Sequence, residues 1–228
     1  MYGVFSLQSM KNYWFCILLL TALYACKKKD MTLPVITLAG ETNIQQILNT
    51  QWTDPGYNAA DNIDGDITQN VIVNGTVNKD FAGTYIITYT VADNEGNETS
   101  VQRSVTMYNE AKYLSGKYSA HDTCPLTSTT FTTTITPSNT INKEFTIENF
   151  GNWNSLCPCI AAIKMKVSGS DINSFLFWDK QEIANNDSLI TSSNGGIIST
   201  ISPPTLSFSY QWKNSSSTTM CSGTYTHQ

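Results

Sequence analysis

Alternating hydrophobic and polar positions dominate the chain after residue 34, and this period of two is typical of β-strands. The clearest run covers residues 83–93 and is followed by a turn at 94–97 and a second run at 101–107. This order predicts a β-hairpin, because Gly96 can adopt the positive φ that a tight turn needs. No segment of this region has a helical period. One face of the first run carries Tyr85, Ile87, Tyr89 and Val91.

The second half of the chain contains eight further runs of the same kind. Several alternate fully, as in residues 206–212, where large apolar side chains take every second position. Eight such strands favour a small closed or nearly closed antiparallel barrel, because closure removes exposed sheet edges. The eight predicted strands cover 114–123, 129–136, 145–150, 160–167, 174–178, 197–201, 206–212 and 219–226.

The N-terminus carries an export signal. Residues 13–25 form an apolar run that is too short to cross a bilayer but suits the core of a signal peptide. No charge precedes Lys11, so translation is expected to start at Met10. The run ends Leu-Tyr-Ala-Cys26, which resembles the lipobox of bacterial lipoproteins. That resemblance implies cleavage after residue 25, palmitate-type acylation of Cys26, and a short lipidated tether over 26–33; an ordinary secretory signal with a chance Cys is the alternative.

The Lys-rich stretch after Cys26 resembles lipoproteins of Bacteroidetes. The resemblance implies attachment to the outer membrane, on either its periplasmic or its surface-exposed face. The membrane, through the lipid anchor, is thus the first expected partner.

Residues 34–108 contain a series of short motifs, which are in order Asp54-Pro55-Gly56-Tyr57, Asp64-Gly65-Asp66-Ile67-Thr68, Gly83-Thr84-Tyr85 and Tyr89-Thr90-Val91. In this order they are similar to a bacterial Ig-like family known from pesticidal crystal proteins and Bacteroidetes surface lipoproteins. The resemblance implies an Ig-like Greek-key β-sandwich that serves as a spacer or binding module and has no catalytic activity. Gly83-Thr84-Tyr85 also resembles the tyrosine corner of such sandwiches.

Residues 109–228 resemble the lipocalin-like C-terminal domain that follows such Ig-like modules. The resemblance rests on Leu114-x-Gly116-x-Tyr118, on Asn149-Phe150-Gly151 and on the cysteine in the last strand. The expected fold class is therefore all-β, with a sandwich followed by an eight-stranded antiparallel lipocalin-like barrel.

Charge is sparse and unevenly distributed. Of 228 residues 40% are hydrophobic and 14% charged, and the formal net charge of −5 argues against nucleic acid as a partner. Residues 34–108 hold nine acidic side chains against two basic ones. Loop carboxylates that converge would suit Ca²⁺ as a cofactor; the alternative is that they bond local backbone N–H groups in turns. The candidate ligands are Asp54, Asp61, Asp64, Asp66 and Asp93.

Four cysteines remain after the signal and the lipidated Cys26, namely Cys124, Cys157, Cys159 and Cys221. In an exported protein an even number indicates disulfides, with three connectivities open. In an up-and-down barrel the first and last strands are neighbours, which favours Cys124 with Cys221. Cys157 and Cys159 would then form a strained short ring or remain a free pair. A zinc or copper site that also uses His121 is the alternative.

No motif for nucleophilic, phosphate-binding or zinc-dependent catalysis occurs in the sequence, so no enzymatic activity is expected. The sequence favours a binding module for a glycan or for a protein of an outer-membrane uptake system. A structural spacer without a ligand and a hydrolase on the barrel are the alternatives. Trp153 is the candidate for stacking on a sugar ring. Asp187-Ser188-Leu189 matches the O-glycosylation pattern of Bacteroidetes exported proteins, with Ser188 as the acceptor.

Overall fold

The computed structural model describes residues 29–152, 162–168, 174–177, 181–182, 188–199, 204–213 and 216–228. Cys26, Trp153, Cys157 and Cys159 therefore lie outside the described residues. Ser188 begins a strand, but its side chain is not among those described. The described chain is all-β, with short 3₁₀ turns between some strands.

Seven strands precede residue 109 and nine follow it within the described residues. The first group is β1 Val35–Leu38, β2 Asn43–Ile47, β3 Tyr57–Asp61, β4 Gly65–Asp66, β5 Ile72–Asn74, β6 Gly83–Ala92 and β7 Glu98–Tyr108. The second group is β8 Gly116–Cys124, β9 Thr127–Pro137, β10 Glu144–Glu148, β11 Ala162–Val167, β12 Ser174–Phe177, β13 Gln181–Glu182, β14 Ser188–Ser199, β15 Thr205–Lys213 and β16 Thr218–His227.

The first group forms two sheets, with strand orders β1-β3-β4 and β2-β7-β6-β5. β2 runs parallel to β7, while β3 pairs antiparallel with both β1 and β4. The predicted hairpin is confirmed as β6 and β7. Its turn is closed by hydrogen bonds from Asp93 N to Asn97 O and from Gly96 N to Asp93 O, and Gly96 has φ +85°.

The second group forms one sheet, ordered β12-β11-β10-β9-β8-β16-β15-β14-β13, and β12 also pairs with β14. β8 and β16 are antiparallel neighbours, as expected for the first and last strands of an up-and-down arrangement. Each of the eight predicted strands has a counterpart in this sheet; β13 is a two-residue addition.

The inward positions predicted from alternation are confirmed. In β6 the side chains of Ile87, Tyr89 and Val91 are buried, and in β15 those of Leu206, Phe208 and Tyr210. The β8–β16 sheet buries one continuous cluster of apolar side chains. Burial of this apolar area is the main favourable contribution to its folding.

By Cα packing the chain divides into two compact units. The first holds 1–39, 56–73 and 89–101, and the second holds 40–55, 74–88 and 102–228. The boundary at residues 108 and 109 stays a prediction from sequence.

Inside the second unit, Asn109 organises the start of the β8–β16 region. Its side chain is buried and makes five hydrogen bonds to backbone groups. Its Oδ1 accepts from Ala111 N and Lys143 N at 2.9 and 2.7 Å. Its Nδ2 donates to the carbonyls of Ser138, Ile141 and Glu144 at 2.8 to 3.1 Å. One side chain thus bonds backbone groups from two segments; the carbonyls of Ile141 and Glu144 also accept from backbone N–H groups.

The loop between β9 and β10 is also bonded to Asn49, which belongs to the same unit. Asn49 has φ +66°, accepts from Asn142 N through its Oδ1 at 2.7 Å, and donates to Thr140 O at 2.9 Å. Ala82 N donates to Asn139 O at 2.7 Å. These bonds hold the loop in a defined position within the unit.

Candidate functional site

The loops of the first unit carry most of the predicted cation ligands. Asp61, at the end of β3, is buried, and its Oδ1 accepts from the backbone N–H groups of Ile63 and Asp64 at 2.8 and 3.0 Å. The N–H of Asp64 and then that of Ile63 lower the pKa of the Asp61 carboxyl, so the group is ionised at neutral pH. Its other oxygen, Oδ2, is buried and has no hydrogen-bond partner.

Asp93 lies at the end of β6 and is also buried. It accepts from Asn97 N and Asn97 Nδ2 at 2.7 and 2.6 Å. Burial raises the pKa of Asp93, but the hydrogen bonds from Asn97 outweigh that effect and leave it below its usual value. The charge of Asp61 acts on Asp93 in the opposite sense and raises its pKa.

Asp64 and Asp66 make different kinds of contact. Asp64 accepts from both the backbone and the side chain of Asn94, linking the turn after β3 to the turn after β6. Asp66 is exposed and accepts from Thr68 N at 2.9 Å, at the start of a 3₁₀ turn. The contact of Asp66 matches the local turn alternative from the sequence, whereas that of Asp64 joins two distant turns.

Asp54 belongs to the second unit and forms an ion pair with Arg103. The Arg103 side chain is fully buried, and that of Asp54 is 29% exposed. A guanidinium removed from water needs such a counter-charge. The predicted ligand set is therefore divided: Asp54 neutralises a buried arginine, and the other four lie in the first unit.

Two carboxylates outside the candidate ligands chosen from the sequence join one that was chosen. Asp30, Asp93 and Glu95 each place a carboxylate oxygen so that the three atoms lie within 4.8 Å of one another. We call these three residues the acidic cluster. The sequence places Asp30 in the predicted tether. Its separation of 63 positions from Asp93 gives no local signal that the two residues are close in space. Only the folded chain, which brings the two segments together, shows this proximity.

The β8–β16 sheet holds a second buried carboxylate, Asp122, on β8. Tyr210 OH donates to its Oδ2 at 2.8 Å, and Tyr225 OH lies 3.3 Å from the same oxygen. Burial raises the pKa of Asp122 to about 6, and the two tyrosine hydrogen bonds offset only part of that rise. Burial likewise raises the pKa of Tyr210 and Tyr225, so both phenols remain protonated donors at neutral pH.

Aromatic rings surround this carboxylate. Phe150 packs against the rings of Phe208, Tyr210 and Tyr225, with centroids 4.9 to 6.0 Å apart. Gly223 stands opposite Asp122 in the ladder, and a Cβ there would lie 2.7 Å from Asp122 Oδ1. A glycine inside a strand is a sequence signal of such a close approach. The described side chains on the buried face of this sheet are therefore closely packed around Asp122.

Replacing Asp122 by asparagine is expected to remove a pH-dependent destabilisation. Because the pKa is about 6 in the folded chain and 3.8 in the unfolded one, the folded state binds more protons between these values, and stability falls as pH rises. Relative to Asp122→Asn, wild type should gain about 2 kcal/mol between pH of about 7.5 and 4.5. Urea unfolding at both pH values measures this difference.

Asp66→Asn is the matched control, because the pKa of Asp66 is lowered by hydrogen bonds from the side chain and then the backbone of Thr68. The stability of Asp66→Asn relative to wild type should therefore change little between these two pH values, since a lowered carboxyl pKa affects stability only as the pH falls toward and below 3.8. A pH-independent difference between wild type and Asp122→Asn would contradict the assignment.

Cys124 and Cys221 form a disulfide between β8 and β16, 97 positions apart in sequence. This is the pairing expected from the neighbouring first and last strands. The two sulfurs are consequently not thiolate ligands. The alternative zinc or copper site with His121 would therefore lack both of these cysteines as ligands. His121 is exposed, with its ring bonded to Thr130 Oγ1 at 3.0 Å.

In the described part of the chain, no helix combines the length and apolar character needed to span a membrane. Residues 36–107 are matched as a whole by one family model. That family is described as bacterial surface protein, Ig-like domain, and residues 36–107 are similar to it. This match confirms the resemblance seen in the sequence, and the Ig-like domain covers about a third of the chain. No curated protein matches the chain.

Two solved structures are similar to the chain at low identity. The lipoprotein BT2262 from Bacteroides thetaiotaomicron is 21% identical, with 84% of this chain and 99% of that chain covered and a TM-score of 0.35. The structure of CBM51-2 in complex with GlcNAc and INT domains from Clostridium perfringens ZmpB is 13% identical, with 85% of this chain and 44% of that chain covered and a TM-score of 0.29. At these scores neither similarity supports a conclusion about this chain.

Proposed function

We propose that the protein is a lipid-anchored, non-enzymatic module of the bacterial outer membrane that binds a glycan or a partner envelope protein. The observation that carries the proposal is the match of residues 36–107 to bacterial surface protein Ig-like domains. An anchor at Cys26, a tether to residue 33 and the Ig-like domain would hold the C-terminal domain away from the membrane.

The finer architecture belongs to the same proposal. The two sheets of the Ig-like domain form a Greek-key sandwich, and strands β8–β12 with β14–β16 form a closed lipocalin-like barrel. The pairing of β12 with β14 supports closure, because it joins the two ends of the strand order. The filled interior around Phe150 and Asp122 favours a ligand on the outer surface rather than inside the barrel.

One end of the proposed barrel exposes apolar side chains. Leu126 in the turn after β8 is 96% exposed, and Met220 on β16 is 47% exposed. They flank Cys124 and Cys221 in sequence, so the disulfide places them at the same end of the sheet. A surface with exposed apolar groups held on a cross-linked support suits contact with a partner.

Glycan binding is tested with the full-length protein and a panel of soluble polysaccharides by affinity electrophoresis and calorimetry. Binding of one polysaccharide with a Kd below about 1 mM, lost in Trp153→Ala, would support a glycan ligand. Binding that survives in Trp153→Ala but is lost in Leu126→Ser would place the contact at the disulfide end. Failure of every polysaccharide and of candidate uptake-system proteins would favour the structural spacer.

Cys26→Ala is expected to release the protein from the membrane fraction and to abolish incorporation of labelled palmitate, because several acyl chains are needed for stable anchoring. Fractionation of cells that express each variant measures this. Cys16→Ala lies inside the predicted signal peptide and should leave both anchoring and labelling unchanged. Labelled palmitate on Cys26→Ala would disprove the assigned anchor.

A further inference from the structure

Two carboxylate oxygens of the first unit are buried and have no hydrogen-bond partner. They are Asp30 Oδ2 and Asp61 Oδ2, and their residues are only 6% and 8% exposed. A buried carboxylate oxygen without a donor costs free energy, since it has lost water and gained nothing in exchange. Two such atoms in neighbouring loops indicate that a positively charged ligand completes their surroundings.

The local charge has the same implication. The described residues of the first unit include seven acidic side chains and one basic side chain, Lys29. The ion pairs found in the described part of the chain all involve acidic residues of the second unit. In the described part of the chain, no ion pair relieves the repulsion among the carboxylates of the first unit.

The spacing of the acidic cluster fits one metal ion. Its three carboxylate oxygens lie within 4.8 Å of one another. Ca²⁺ binds oxygen at about 2.4 Å, so two of its ligands are at most about 4.8 Å apart. The available groups are all hard oxygen donors, which suits Ca²⁺ better than zinc or copper. Glu95 is exposed, so water can complete a coordination shell of about six to eight oxygens.

We propose that Asp30, Asp93 and Glu95 bind Ca²⁺ directly, with Asp61 beside them adding charge. The ion joins the segment that follows the predicted lipid anchor to the turn between β6 and β7. Asn97 supports the same arrangement, because its Nδ2 donates to Asp30 O at 3.2 Å as well as to Asp93. Bound Ca²⁺ would fix the end of the tether and so set how the Ig-like domain leaves the membrane. This proposal does not depend on the nature of the outer ligand.

The test uses full-length protein, purified in detergent and stripped of divalent ions with a chelator. Titration with CaCl₂ in a calorimeter should show one site with a Kd of about 10⁻⁴ to 10⁻³ M, the range of extracellular modules. Asp30→Asn and Glu95→Gln should each weaken binding about tenfold or more, because each removes a charged ligand. Asp66→Asn removes an equal charge from a neighbouring exposed turn and should leave the Kd within about twofold.

Thermal unfolding gives a second readout. Ca²⁺ should raise the Tm of wild type and of Asp66→Asn, and raise it less in the two cluster variants, because a ligand of the folded state stabilises by mass action. Glu95 is exposed, so Glu95→Gln keeps the test valid if Asp30→Asn fails to fold. Absence of binding to wild type at about 10 mM CaCl₂, or equal affinity in wild type and Glu95→Gln, would overturn the proposal.

Discussion

Replacing Cys124 and Cys221 together by alanine is expected to lower the free energy of unfolding by about 4.7 kcal/mol. The cross-link closes a loop across almost the whole β8–β16 sheet, with a sequence separation of 97. On the loop-entropy model, its loss gives the unfolded chain many more conformations while the folded chain changes little. Urea unfolding of the oxidised wild type and of the double variant measures the difference.

Reduction provides the matched comparison for this prediction. Wild type treated with a strong reductant under unfolding conditions and then refolded should approach the stability of the double variant. The free energy of unfolding of the double variant should not change on treatment with the reductant. A double variant within about 1 kcal/mol of oxidised wild type would show that the cross-link contributes little to stability.

Asn109→Ala is expected to cost about 4 kcal/mol, the second-largest effect. The substitution leaves two backbone N–H groups and three carbonyls without the partners that the Asn109 side chain supplies. Each buried group left unsatisfied carries a desolvation cost of about 1 to 3 kcal/mol, reduced where the site relaxes or admits water. Chemical unfolding followed by tryptophan fluorescence measures the loss.

Two variants control for this result. Asn109→Asp keeps the oxygen that accepts from Ala111 and Lys143 but loses the donor to three carbonyls, so it should also destabilise strongly. Asn43→Ala removes an exposed asparagine of the same unit whose side-chain amide bonds only the adjacent Thr42, at 3.4 Å; its effect should stay below about 0.5 kcal/mol. Equal effects of Asn109→Ala and Asn43→Ala would refute the proposed role.

Most strands could be predicted because their signal is local. The alternation in β6, β9, β11 and β15 places large apolar side chains on one face, and only one register buries that face. The turn at Gly96 was predictable because glycine is the residue that adopts positive φ without strain. The tyrosine corner at Tyr85 could be predicted from its motif, and its OH donates to Phe81 O; Tyr118 OH donates in the same way to Leu114 O, a contact that the sequence did not suggest.

β14 shows where local pattern fails. It begins at Ser188, nine positions before the predicted run at 197–201. Its middle, residues 192–196, is Ser-Ser-Asn-Gly-Gly, and its pairing with β15 shifts register between Thr191 and Gly196. Such an irregularity breaks the period of two, so the pattern indicates a loop where a paired strand exists.

The candidate sites divide in the same way. The local contacts of Asp61, Asp66 and Asp93 could be predicted, since aspartate bonds nearby backbone groups. The partnership of Asp54 with Arg103 and that of Asp122 with two tyrosines each join residues at least 49 positions apart. Nothing in the spacing of those residues indicates the contact.

By itself, the sequence determined the all-β class, the order of the strands along the chain, the Ig-like segment and the most favourable cysteine pair. The hydrophobic period and the turn residues are local signals. The cysteine pair follows from the adjacency of the first and last strands in an up-and-down sheet. Only the tertiary structure decided which carboxylates are exposed in turns, which pair with a buried cation and which converge near Asp30. The physical reason is that burial and charge depend on every group within a few ångströms, and those groups come from loops that only the folded chain brings together.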